Sequence, residues 1–205
     1  MRKQIAPDPW DNALLDELRN SRVSLLKRNV QVSVEEYLEG EKHSQVKHEY
    51  VRGRVYAMVG ASKAHNRIAL NVGYTLDHHL RGGPCSVFVA DVKVRIGEIF
   101  YYPDVLVTCS QGDTDPFVCT EPSLIVEILS PTTEALDRLD KRLAYQSLAS
   151  LQEYMLVPQA KREVQVYRWQ GQGWDLEVFV EQDTVRLASI DFELPLSEIY
   201  RDVAV

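Results

Sequence analysis

The chain has 205 residues, 45% of them apolar, enough to bury one real core with at most a small appendage. Its net charge of −7 argues against a protein that coats nucleic acid nonspecifically. Local contact with DNA stays open, because acidic metal ligands count against the sum until a cation is bound. No run of about 18 or more apolar residues occurs, so no membrane-spanning helix is expected. Two basic residues near the start are not followed by an apolar stretch, so that segment does not read as a signal peptide. Cys85, Cys109 and Cys119 are odd in number and lack Cys-x-x-Cys spacing. They read as reduced thiols of a cytoplasmic protein, with neither a disulfide frame nor a zinc site.

Residues 1–31 read as a helical extension, with Leu14, Leu15, Leu18, Leu25 and Leu26 allowing one or two short helices after Pro7 and Pro9. The remainder, 32–205, reads as a single domain. Ser33 and Glu36 match a capping box for a helix running to about Leu38 and stopped by Gly40. Residues His48 to Met58 form a hairpin pattern turning at Arg52-Gly53, with Glu49 at its start. Ser62 to Leu80 carries the strongest helical period: Ile68, Val72, Leu76 and Leu80 make one row, and Ser62 stands as cap. His65 falls in its first turn, where it could face a site built at that helix end. His78 and His79 fall in the last turn, which suits cationic histidine.

Ser86 to Arg95 reads as one strand whose alternation puts Asp91 and Lys93 on a shared face. Gly97-Glu98 is a turn, and Ile99 to Cys109 reads as the next strand. Residues 110–122 form a loop rich in Gly, Asp and Pro. Leu124 to Leu129 is a continuous apolar run suited to a central strand, interrupted by Glu127. Counting by two, Glu127 shares its face with Ile125 and Leu129, costly company for a charge that is neither paired nor bound to a cation.

A helix is expected from about Glu134 to Leu148. Leu136, Leu139 and Leu143 form its apolar stripe, with Glu134, Asp137, Lys141 and Tyr145 opposite. On that pattern alone, Lys141 is as well explained by a surface pair with Asp137 as by a functional role. Strands follow at Glu153–Val157, Glu163–Trp169, Trp174–Val180 and Thr184–Leu187, with Gly171-Gln172-Gly173 as a hairpin turn.

Asp104 and Glu127, one acid on each of two successive strands, read as ligands for a hard divalent cation. Mg²⁺ or Mn²⁺ is preferred over zinc, since no Cys/His cluster accompanies them. Such an ion activates water for phosphodiester hydrolysis, and a nearby lysine stabilises the developing charge. No phosphate-binding glycine loop, Gly-x-Ser-x-Gly elbow or His-Glu-x-x-His helix competes with that reading. Structural ion pairing of the same acids is the plain alternative.

Pro103-Asp104, then Val126-Glu127-Ile128-Leu129-Ser130-Pro131-Thr132 and Lys141, resemble the PD-(D/E)XK nuclease superfamily. Within it the chain is similar to the Uma-type putative restriction endonuclease family. Glu35-Glu36-Tyr37-Leu38, Glu49-Tyr50-Val51-Arg52-Gly53, His65-Asn66-Arg67-Ile68, Gln152-Glu153-Tyr154 and Leu194-Pro195-Leu196-Ser197-Glu198-Ile199-Tyr200 add to the match over about residues 32–200. The resemblance implies an α/β fold: a restriction-endonuclease-like core with a mixed central sheet flanked by helices, and a C-terminal antiparallel extension. It implies a site of Glu49, Asp104 and Glu127 as acids, with Asp104 and Glu127 binding Mg²⁺ or Mn²⁺ and Glu49 as an added ligand or a water-orienter. Leu129 stands where a Glu-x-Lys motif places its lysine, and Lys141 on the following helix is the matching position. Asp91 and Lys93 are weaker candidates. The expected function is a metal-dependent DNA endonuclease, cytoplasmic and homodimeric. A non-cleaving DNA- or protein-interaction module on the same fold is the alternative.

Overall fold

The computed structural model describes residues 31–130 and 137–205. The helices expected within residues 1–30, and the start of the helix expected at Glu134, lie outside these. The described residues fall into two compact units.

The first unit holds residues 31–60 with Gly97–Phe100. Its helix α1 (Val34–Glu41) starts on the expected capping box: Ser33 Oγ accepts from the Glu36 N–H, and the Glu36 carboxylate accepts from the Ser33 N–H at 2.8 Å. It runs through Gly40 and ends one residue later, past the expected stop. Strands β1 (His48–Val51) and β2 (Arg54–Ala57) pair antiparallel, Val51 opposite Arg54. Arg52 (φ 46°) and Gly53 (φ +89°) both take the left-handed conformation between them, as a two-residue turn of this hand requires. Tyr37, Tyr50 and Phe100 pack ring on ring, and the Tyr37 hydroxyl donates to the His48 carbonyl at 2.7 Å.

The second unit holds the rest. Its spine is helix α2 (Lys63–Leu80), capped by Ser62 as the sequence indicates. Then come β3 (Ser86–Val89), β4 (Lys93–Ile96), β6 (Val105–Thr108), β7 (Val118–Cys119), β8 (Leu124–Leu129), β9 (Glu153–Pro158), β10 (Glu163–Trp169) and β11 (Trp174–Val180). Strand β5 (Ile99–Tyr101) precedes β6 in the chain. Six strands form one mixed sheet in the order β11-β10-β9-β8-β6-β3, parallel only between β8 and β9. A separate hairpin pairs β12 (Thr184–Leu187) with β13 (Phe192–Pro195), and α3 (Arg142–Tyr145) and α4 (Leu196–Ile199) complete the elements. One sheet face carries Val105, Val107, Val126, Ile128, Met155, Val157, Val164 and Val166 into the core against Ile68, Val72 and Leu76 of α2. Gly73 lets the helix approach closely, since a Cβ there would lie 2.3 Å from a Val89 methyl.

Three expectations are corrected. The strand expected over Ser86–Arg95 breaks at Ala90 (φ 53°) and Asp91 (φ 66°), two successive non-glycine residues in the left-handed region. Asp91 and Lys93 therefore do not share a strand face; Asp91 is exposed and Lys93 is buried beneath the Tyr102 ring, 5.2 Å from its centroid. The strand expected over Ile99–Cys109 is likewise two pieces, interrupted at Tyr102–Asp104, because Pro103 has no N–H for a ladder. Finally, Cys85 and Cys109 are joined as a disulfide, and among the described cysteines Cys119 alone is a free thiol. The β3–β6 register, which sets Ser86 opposite Thr108, puts Cys85 and Cys109 opposite each other one step further along. Sequence spacing alone does not reveal that.

Candidate active site

Pairing of β6 with β8 brings Asp104 beside Glu127's chain neighbour. The ladder ends with Val105 opposite Val126, and Asp104, just before β6, reaches across to accept from the Ile128 N–H, one residue from Glu127. Glu127 begins a row on the sheet face away from the α2 core, because the alternate residues Val126 and Ile128 occupy the core face. The row continues across the sheet through Leu156 and Gln165 to Val178.

Glu127 lies in the middle of β8 with its side chain only 4% exposed. It is compensated from the segment that follows. Lys141 Nζ stands 3.6 Å from Glu127 Oε1, and the Tyr145 hydroxyl donates to the same oxygen at 3.1 Å. The Lys141 side chain is itself 12% exposed, with its ammonium 5.3 Å from the Tyr101 ring centroid. Tyr145 is buried and packs edge-on against Tyr101. The arrangement inverts the expected helix. Asp137–Lys141 winds as a π-helical turn into α3, and Leu139 (53% exposed) and Leu143 (56%) face outward while Lys141 and Tyr145 turn in. The surface pairing considered for Lys141 involves Asp137, whose side chain lies outside those described.

Asp104 is fixed from two directions. Its Oδ2 accepts from the Ile128 backbone N–H at 2.7 Å and stands 3.2 Å from His65 Nε2. His65 reaches it from the first turn of α2, where its own backbone N–H is held by Ser62 Oγ at 3.0 Å. His65 and Tyr145 are the two contributors that pattern reading undervalued. The available signals were the first-turn position of His65 and the i, i+4 relation of Tyr145 to Lys141.

Glu49 belongs to the first unit, half-buried on β1 opposite Tyr56. Its expected role rests on the sequence resemblance alone. Among the described residues no group of three or more His, Cys, Asp or Glu is gathered closely enough to form a ready metal cage. The donor chemistry of Asp104 and Glu127 nonetheless fits Mg²⁺ or Mn²⁺. Such cations take oxygen ligands, use one or two carboxylates, and keep several waters.

The family model described as "Uma2: Putative restriction endonuclease" matches residues 34–197. The chain is 38% identical to the uncharacterized protein slr1290 of Synechocystis sp. over 178 residues, 84% of this chain and 93% of that protein. It is 33% identical to the uncharacterized protein sll1609 of the same organism over 141 residues, 66% of this chain and 80% of that one. Among solved structures it resembles a putative nuclease belonging to DUF820 from Anabaena variabilis. The TM-score is 0.68 at 18% identity, covering 82% of this chain and 97% of the other. That likeness shows the α/β nuclease-like fold.

Proposed function

The chain belongs to the Uma2 family of putative restriction endonucleases, and from that premise we propose that it is an endonuclease cleaving DNA phosphodiester bonds with Mg²⁺ or Mn²⁺. The observation that carries the proposal is Asp104 tied to the Ile128 N–H of β8, one residue from Glu127, with Lys141 at 3.6 Å from the buried Glu127. Asp104 and Glu127 would hold the cation, which when bound supplies charge to polarise a phosphoryl oxygen and acidify a water. The protein's own part is to present two oxygens from rigid strands and to bring one lysine ammonium to their edge. A water-poor setting strengthens that ammonium's attraction for charge developing on phosphate. Tyr145 and Tyr101 hold the lysine segment in place.

The test is Mn²⁺ calorimetry on wild type and Glu127→Gln, run beside plasmid nicking. We expect the wild type to bind Mn²⁺ and nick, and the variant to lose both. No Mn²⁺ binding by the wild type would favour a non-cleaving interaction module on the same fold. The Lys141–Glu127 contact gives that reading some support, since it already neutralises the acid without a cation. We also propose a homodimer, which suits cutting two strands by symmetry.

A further inference from the structure

Resting on the metal-dependent reading, we infer that His65 is a positioning residue that decides which oxygen of Asp104 is offered to a cation. The inference stands on the two contacts to Asp104 Oδ2: the Ile128 N–H at 2.7 Å and His65 Nε2 at 3.2 Å. The Ile128 N–H donates to Oδ2, and His65 Nε2 stands at ion-pairing distance from the same oxygen. The two contacts come from different elements, one from the β8 backbone and one from the start of α2. Together they hold the plane of the carboxyl group, commit Oδ2, and leave Oδ1 as the oxygen presented to a metal.

The imidazole is well placed for such a role. Its backbone is pinned by the Ser62 cap, and the contact is sheltered, with His65 and Asp104 side chains 16% and 20% exposed. Glu127 is positioned separately by Lys141 and Tyr145, so a change at His65 acts on one ligand of the pair and not on both. Residues that hydrogen-bond a metal ligand without touching the metal commonly contribute 10- to 100-fold to affinity, and about that effect is expected here.

The experiment is Mn²⁺ calorimetry on the full chain as wild type, His65→Ala, His65→Gln and Asp104→Ala, with metal-free thermal melts of each. His65→Ala should bind Mn²⁺ about 10- to 100-fold more weakly. His65→Gln, whose amide N–H can donate from a similar distance, should recover most of that loss. Both should melt close to wild type without metal, while Asp104→Ala should lose binding. Equal affinity in wild type and His65→Ala would overturn the inference and leave the metal reading standing. An equal loss in both His65 variants, with a lowered metal-free melt, would mark a structural role and overturn it too. A wild type that does not bind Mn²⁺ would overturn the metal reading itself, and the positioning role with it.

Discussion

A carboxylate placed between Ile125 and Leu129 on a central strand must be compensated, and in this chain Lys141 and Tyr145 do it. Removing one partner of a buried pair costs more than the pair is worth, because the remaining charge stays desolvated. Lys141→Ala should therefore destabilise the metal-free protein by on the order of 3 kcal/mol, seen as a lower urea midpoint in the presence of chelator. On the proposed function, added Mn²⁺ should restore more stability to the variant than it adds to wild type. Nicking should fall about 10²- to 10³-fold, the usual loss when one fixed stabilising group is removed. An unchanged midpoint in chelator would show that the pair carries no weight. A different single-residue case is Cys119. Its thiol is pushed up to about 12, first by burial and then by the neighbouring Asp113, so it behaves as a small core side chain and not as a nucleophile.

At the scale of elements, the segment through Lys141 shows how a single charge overrides a periodic pattern. Leu139 and Leu143 form an orderly stripe, yet they face outward, because the opposite side carries Lys141 and Tyr145, which meet the buried Glu127. Strand β9 begins with a second buried acid used differently. Glu153 is 0% exposed and accepts from Arg168 Nε at 2.8 Å, the Ala188 N–H at 3.1 Å and the Ser189 N–H at 2.9 Å. It ties β9 to β10 and to the short 3₁₀ turn Ala188–Ile190. Its place in the alternation is with Met155 and Val157 on the core face, opposite to the face of Glu127. Glu153→Ala should cost about 2–3 kcal/mol in urea unfolding, since it leaves two backbone donors unpaired while Arg168 keeps Glu177 as its partner. Mn²⁺ affinity measured on the surviving folded fraction should stay at the wild-type value. A loss of binding without loss of stability would move Glu153 from scaffold to site.

For the whole molecule, the six-stranded sheet ends at β11, and among the described residues no strand pairs with its outer edge. Leu176, Val178 and Val180 alternate on one exposed face there, next to the exposed Trp169 on β10. A long apolar edge strand invites pairing with another strand, and a second copy in antiparallel register would satisfy it symmetrically. The proposed homodimer should appear by sedimentation at micromolar concentration. Val178→Lys should shift it to monomer without changing the metal-free melt by more than the loss of association predicts. A wild-type monomer at that concentration would remove the proposal.

The sequence by itself determined the local elements whose signals are short-range. These are the capped α1 and α2, the Arg52-Gly53 hairpin, the buried β8, the C-terminal strands and the family to which the chain belongs. It also singled out Asp104 and Glu127, two acids in apolar strand runs, while Lys141 stood out only through the resemblance to the family. The tertiary structure decided what depends on pairing between distant segments. Strand pairing brought Asp104 to the Ile128 N–H beside Glu127, and it joined Cys85 to Cys109 across 24 residues. Packing brought His65 to Asp104 and turned Lys141 inward while two leucines turned out. Periodicity reports which face of an element is apolar. It cannot report that a buried charge on another strand will claim the opposite face, because that cost exists only once the two are packed together.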